Sequence, residues 1–343
     1  MELNSHRGLS IECVTDEWKL VELRPEWKEL WNRAPAATAF VAPEWSIPWW
    51  RAFGSDRLRT FTARTEGMLV GLLPAYLLDG RLQLLGIGAS DHLDLLADSG
   101  MESEIAGAML RSITREPCEW HEIELQELSS DSVLLQASEP PGWRGDLLRQ
   151  GICPALSLPG CASELRACIP RRQYQNLAYC RKRAERSGAV KFARADGESF
   201  GEMFDALASL HTRQWNARGL PGIMADGSMR RFLREAAAEL LHADLLRLYA
   251  MYHDGEIAAT LLGFSAKHRF YYYISGIAPD FAKLGAGTVI VGHAIEEAAR
   301  EGAKEFDFLR GQEPYKYQWG ARDRPNWNRR LTIQTMKAAI SSG

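Results

Sequence analysis

The sequence has 343 residues, 46% of them apolar and 25% charged, with a formal net charge of −3. This is the balance of a folded, water-compatible chain long enough for two domains, and it excludes a disordered protein or a general polyanion binder. No apolar run reaches the length that crosses a bilayer, and Met1 to Ser10 lacks the basic-then-apolar plan of a signal peptide, so a cytoplasmic location is expected. The six cysteines (Cys13, Cys118, Cys153, Cys161, Cys168 and Cys180) are scattered, with no CxxC pair and no histidine at ligand spacing. They read as free thiols in a reducing compartment, and no metal is implied.

In chain order, residues 16–53 read as helices and turns, with an aromatic cluster at Phe40, Trp45, Trp49, Trp50 and Phe53 broken by Pro43 and Pro48. Strands follow at 60–64, 68–78 and 81–85, punctuated by Glu66-Gly67 and Asp79-Gly80, which are two-residue hairpin signals. Residues 91–96 read as a strand, 102–115 as a helix, 121–125 as a strand and 129–138 as a helix. The order then recurs. Strands are expected at 245–252, 256–265 and 269–275, with Asp254-Gly255 as a turn, then a helix at 288–301 and a strand at 305–309. Gly67 with Gly255, Gly86 with Gly276 and Ile123 with Phe306 mark matching points of this repeat of pattern. The chain is therefore expected to be α/β, two copies of one mixed unit, divided as 1–150 and 151–343. Between them a helical insertion, 163–187, carries seven arginines and lysines and stops at Gly188. Helices at 200–218 and 228–242 follow it.

Two stretches concentrate chemistry. Asp280-Phe281-Ala282-Lys283-Leu284-Gly285-Ala286-Gly287-Thr288 joins a strand to a helix. Its glycines let backbone amides approach a ligand, and a helix start offers free N–H groups to a diphosphate. Glu305 to Gly320 sets Asp307 between Phe306 and Phe308 on a strand. It then breaks at Gly311 and Pro314 into a loop bearing Arg310, Glu313, Tyr315, Lys316, Tyr317 and Trp319. Alternation along the strand directs Asp307 to the face opposite both rings. On the basic insertion, Arg172, Asn176, Lys182 or Arg183, and Arg186 recur at roughly helical spacing and suit a phosphate-bearing substrate or plain solvation. His293 falls inside a helix and reads as structural, whereas His92, beside Asp91 and Asp94, is placed at a seam between the halves.

The chain resembles the GNAT-superfamily acyltransferases of the CelD/BcsL type, close to the FemAB-like double-GNAT proteins, over nearly its full length. The resemblance rests on Phe40 to Trp50, Gly86 to Leu96, the Arg-rich Arg171 to Gly188 and His211-x-Arg213-x-Trp215. It continues through the Asp254-Gly255 hairpin, Tyr271 to Gly276, and Phe306 to Gly320. It departs at Ala282, where the acetyl-CoA loop of single GNAT enzymes carries Gln or Arg, with Lys283 next to it. The resemblance implies two tandem GNAT-like units, each a twisted mixed β-sheet flanked by helices, the first acting as acceptor-side or scaffold copy. It implies acyl transfer from acetyl-CoA or another acyl-CoA to the amine of an amino sugar in exopolysaccharide or envelope assembly. The acceptor would be small or lipid-linked, with peripheral contact to membrane polysaccharide machinery and no nucleic acid. The donor would lie at Lys283, Gly285, Ala286, Gly287 and Thr288. Asp307 would be the general base, with Glu313 beside it, and Tyr315 or Tyr317 would protonate the leaving thiolate. Asp91, His92, Arg172, Arg183, His211, Arg213, Trp215, Arg310, Lys316, Tyr317 and Trp319 would contact substrate. The alternatives are a FemAB-type transferase using aminoacyl-tRNA, bound by the basic helix, and a non-catalytic module keeping the fold.

Overall fold

The computed structural model describes residues 8–54, 57–115 and 119–334; Cys118 and residues 1–7 of the N-terminal reading lie outside them. In chain order the elements are β1 (Leu9–Val14), α1 (Glu17–Glu22), α2 (Arg24–Arg33), α3 (Pro43–Phe53), β2 (Arg57–Leu58), β3 (Thr60–Thr65), β4 (Met68–Leu73), β5 (Ala75–Leu78), β6 (Arg81–Leu84) and β7 (Leu96–Ala97). Next come α4 (Glu102–Arg115), β8 (Glu122–Ser129), α5 (Val133–Gln136), β9 (Trp143–Ile152), β10 (Ala155–Ser157), α6 (Leu165–Cys168), α7 (Arg171–Ser187), β11 (Val190–Arg194), α8 (Phe200–Asn216) and α9 (Gly227–His242). The remainder is β12 (Leu246–His253), β13 (Glu256–Ala266), β14 (Arg269–Ile277), α10 (Pro279–Ala282), α11 (Ala286–Arg300), β15 (Glu305–Asp307), α12 (Pro314–Gln318) and β16 (Pro325–Ile333).

The chain is α/β, and its described residues fold into two compact units, one from those of 8–47, 54–151 and 325–334, the other from 48–53 and 152–324. The repeat of pattern is physical. In the first unit β6 and β8 are parallel and joined through α4; in the second, β14 and β15 are parallel and joined through α11. Each is preceded by hairpins whose two-residue turns sit at positive φ, as at Glu66-Gly67, Asp79-Gly80 and Asp254-Gly255. A fourth such turn, Lys267-His268, reaches positive φ without glycine, and sequence reasoning passed over it.

The first unit has two sheets, ordered β1-β3-β4-β7 and β2-β5-β6-β8-β16-β9. Residues 91–95 form no strand, contrary to the expectation: the Asp94 carboxylate turns back to the Leu95 amide (2.8 Å), and only Leu96–Ala97 pairs with β4. Burial pushes the Asp94 pKa up to about 6, opposed by hydrogen bonds from Ser132 and the amides that open α5. The helix expected at 129–138 shrinks to α5, because β8 runs on to Ser129. Strand β16 pairs with β8 rather than with anything near it in sequence. Its polar residues meet buried acids of β8: Asn326 with Glu127 (3.0 Å), Asn328 with Glu124 (3.0 Å) and Arg330 with Glu122 (2.9 Å).

The second unit is a six-stranded sheet ordered β10-β15-β14-β13-β12-β11. On one face α7 and α11 pack with Tyr249, Leu261, Phe270, Tyr272, Phe306 and Phe308 into a continuous apolar core. Phe270 and Phe306 stack at 4.8 Å across the parallel pair. His293 of α11 stacks on Phe192 at 4.1 Å, and burial lowers its pKa to about 4, so it serves the core as a neutral ring. Helix α8 covers the other face, with Met203, Phe204 and Leu207 buried.

Candidate functional site

Strands β14 and β15 pair only from Arg269–Tyr271 against Glu305–Asp307. Beyond that point β14 runs on to Ile277, while Phe308 and Gly311 turn away and donate to Pro154 (2.9 Å) and Ile152 (3.0 Å). The stretch Tyr272–Ile277 therefore has β13 on one side and an edge left by β15 on the other. The Ala278 amide bonds Ala258 toward β13, and Gly276 pairs with Thr260, so the alternation aims the Ser275 carbonyl at the open edge.

His211 of α8 lies against that edge. Its Nδ1 is 3.0 Å from the Ser275 oxygen, which fixes the donor tautomer there and leaves Nε2 as an acceptor. Nε2 is buried without a hydrogen-bond partner among the described residues. Burial lowers the His211 pKa, partly offset by the Ser275 bond, so the ring stays neutral below the usual histidine range.

Tyr315, in the first turn of α12, approaches the edge from its other side. Its ring meets those of Tyr272 (6.5 Å) and Phe308 (6.2 Å), and its hydroxyl bonds that of Tyr272. Tyr272 in turn lies 2.6 Å from the Ser275 Oγ. Desolvation, then the neighbouring Tyr272 and Glu313, push the Tyr315 pKa up, so this hydroxyl stays protonated and can donate a hydrogen bond.

The loop after β14 ends at Gly285, whose φ of 83° is the left-handed region open to glycine. A β-carbon there would stand 2.5 Å from the Cys180 sulfur of α7, so Gly285 also lets the start of α11 close on α7. Gly287 does the same toward Ile277, at 2.6 Å. No side chain caps α11, leaving its first amides at Ala286, Gly287 and Thr288 to an outside acceptor. On α7, Arg172, Asn176, Cys180 and Arg183 fall on one helical stripe, and Cys180 is the member against Gly285. Arg183 therefore brings its charge to the α11 start, and its field lowers the pKa of Cys180, which burial raises more. Lys283 is exposed one turn before.

Several expected site residues do other work. Lys316 is 2% exposed, and its ammonium donates to the carbonyls of Leu309 (2.9 Å), Arg310 (2.8 Å) and Gly311 (3.0 Å) and pairs with Glu313 (3.0 Å). It clamps the loop after β15 and has no donor left for a phosphate. Trp319 is 2% exposed inside the core, and is no acceptor wall. The Tyr317 hydroxyl donates to Asp323 (2.7 Å). Arg310 is exposed at the turn. Trp215 stands 5.9 Å from His211 with the Arg218 guanidinium over its ring. Arg213, two residues from His211, points to the opposite side of α8. Asp91 and His92 are buried in the first unit, where their carbonyls accept from Asn326 and from Thr38 (2.8 Å).

Asp307 does alternate away from Phe306 and Phe308, yet it is 2% exposed and its Oδ1 accepts the Leu309 amide at 2.7 Å. That bond stabilises Leu309 at a φ of 57°, the turn that peels the chain off β14. Asp307→Asn keeps an oxygen for Leu309 and is expected to leave turnover within about threefold of wild type, whereas Asp307→Ala should cost about 1–2 kcal/mol in a denaturant melt. A hundredfold loss of turnover in a stable asparagine variant would return the base role to Asp307.

Three comparisons bear on this site. No curated protein matches the sequence. Among solved structures, the crystal structure of FemX aligns with a TM-score of 0.66 at 11% identity, over 93% of this chain and 96% of that one. The C-terminal domain of a putative lysylphosphatidylglycerol synthetase from Agrobacterium fabrum aligns at 0.59 and 10% identity, over 90% and 91%. L-PGS from Bacillus licheniformis aligns at 0.58 and 10%, over 89% and 90%. At these identities the likeness is one of fold. Residues 171–317 match the family model described as acetyltransferase (GNAT) domain. The matched span runs from the start of α7 to Tyr317 of α12 and takes in α11 and the β14 edge, so over these residues the second unit is similar to a GNAT-type acetyltransferase domain.

Proposed function

We propose that the second unit is an N-acyltransferase that takes an acyl group, acetyl in the simplest case, from acyl-CoA and passes it to an amine. The observation that carries this is the open edge of β14, bounded by the uncapped start of α11, by His211 and by the Tyr315 hydroxyl. A thioester on a long amide-bearing arm suits such an edge, since extended chains add to unpaired strand edges through main-chain hydrogen bonds. The amides of Ala286, Gly287 and Thr288, with Arg183 beside them, suit the donor's diphosphate. His211 Nε2 takes a proton from the amine as its nitrogen attacks the thioester carbonyl. When the tetrahedral intermediate collapses, the carbon–sulfur bond breaks, the Tyr315 hydroxyl donates a hydrogen bond to the departing sulfur, and the thiolate takes up the proton that His211 received from the amine. An amino sugar of envelope or exopolysaccharide assembly is our reading of the acceptor, and a CoA donor fits a cytoplasmic site of action.

A second reading, an aminoacyl-tRNA donor as in FemAB-type transferases, is favoured by α7. Its exposed surface carries Arg171, Arg172, Lys182, Arg183 and Arg186 with Tyr174 and Tyr179, the latter 60% exposed. Basic residues interleaved with exposed aromatics suit a nucleic-acid backbone and its bases. Calorimetry separates the two. Under the first reading acetyl-CoA binds, and Arg183→Gln weakens it about tenfold, or 1.4 kcal/mol, while Lys182→Gln does not. No acetyl-CoA binding, with steeply salt-dependent tRNA binding, would establish the second.

A further inference from the structure

The side of α8 turned away from β14 faces α9 across a groove of about 440 Å³ lined by Arg213, Arg230, Arg231 and Arg234 against one acid, Asp205. Asp205 is engaged by Arg234 and Arg231 by Ser228 (3.1 Å), whereas Arg213 and Arg230 make no ion pair among the described residues. Four cations against one anion in one groove repel one another, and such an arrangement persists at low cost only where an outside anion or solvent screens it. The loop that joins the same ends of the two helices, residues 217–226, holds Leu220 at 51% and Ile223 at 40% exposed. Neither side chain is needed to shape the loop: Leu220 is fixed through its amide to the Trp215 carbonyl (3.0 Å), and Ile223 lies in a single 3₁₀ turn. A lone exposed aliphatic residue is ordinary, but two on one loop, flanked on both sides by unpaired arginines, combine the two terms of interfacial binding.

We propose that this end of the second unit docks on an anionic lipid surface, with the arginines on headgroup phosphates and Leu220 and Ile223 entering the interface. The inference stands apart from the reaction proposed above, because none of these residues touches the β14 edge. It assigns Arg213 to lipid rather than to the acceptor. No helix is long and apolar enough to cross a membrane among the described residues, so contact of this kind would be peripheral.

Flotation of the full chain with vesicles tests it. Binding is expected to vesicles of phosphatidylcholine with phosphatidylglycerol and not to phosphatidylcholine alone, and should fall with salt. Arg230→Gln with Arg231→Gln should weaken it by on the order of tenfold or more. Leu220→Ser with Ile223→Ser should weaken it while leaving the salt dependence in place. Both double variants alter exposed side chains, so thermal melts should match wild type. Equal binding to the neutral vesicles, or wild-type binding by either variant, would overturn the proposal. Calorimetric binding of inorganic phosphate, or of RNA, with no flotation would assign the groove to a soluble ligand and overturn it as well.

Discussion

Glutamine in place of His211 is expected to lower kcat by on the order of a hundredfold or more, with the melting temperature nearly unchanged. The glutamine amide can still donate to the Ser275 carbonyl, so the fold keeps the bond that the Nδ1 group makes at 3.0 Å. What is lost is the lone pair on Nε2. The pH profile gives a second readout. Burial lowers the His211 pKa, so the neutral, proton-accepting form persists below the ordinary histidine range. Turnover in the wild type should therefore hold flat through neutrality and fall only below the ordinary histidine range. In His211→Gln that acid limb should vanish along with most of the rate. An intact acid limb in the variant would assign the limb to another group and remove His211 from the mechanism.

Lys316→Met is expected to be among the most destabilising single changes in the second unit, at about 3–5 kcal/mol. Methionine fills much of the same volume, so the loss is electrostatic rather than a cavity. Three main-chain carbonyls, from Leu309, Arg310 and Gly311, converge on the ammonium. Each bond to a charged donor is worth about 1.5–3 kcal/mol, and a buried carbonyl left without one loses about 1–3 kcal/mol. Solvent can reach part of the loop, which keeps the sum below the simple total. Because the loop carries Tyr315 into the site, turnover should fall together with stability. Chemical denaturation with a kinetic assay on the same preparation measures both. A Lys316→Met protein as stable as wild type, with raised KM alone, would restore the ammonium as a substrate contact.

What could be read from the sequence divides by range of interaction. The hairpins at Glu66-Gly67, Asp79-Gly80 and Asp254-Gly255 were legible because a two-residue turn with positive φ declares itself in two letters. The glycines at 285 and 287 were legible as a tight helix start, although their reason, contact with Cys180 and Ile277, was not. Strand β9 escaped notice because most of its residues are exposed, so it carries no apolar alternation. Strand β16 reads as polar because its partners are the acids of β8, nearly two hundred positions earlier. The role of Lys316 lay in three carbonyls that converge only once Leu309 turns. The tautomer of His211 depends on one carbonyl 64 residues away, which no local pattern reveals.

The position of β16 ties the completion of the first unit to the end of synthesis. That strand lies between β8 and β9, yet it is synthesised after every residue of the second unit. Until it emerges, the first-made unit holds two unfilled strand edges and a row of acids, Glu122, Glu124 and Glu127, still awaiting Asn326, Asn328 and Arg330. The later unit, whose sheet needs nothing beyond Arg324, is complete sooner. A chain made in this order would complete its middle first, and close its beginning only when β16 is in place. Long-range closure of this kind is slow and leaves edges open to wrong partners, so the early half is where a chaperone would find its substrate.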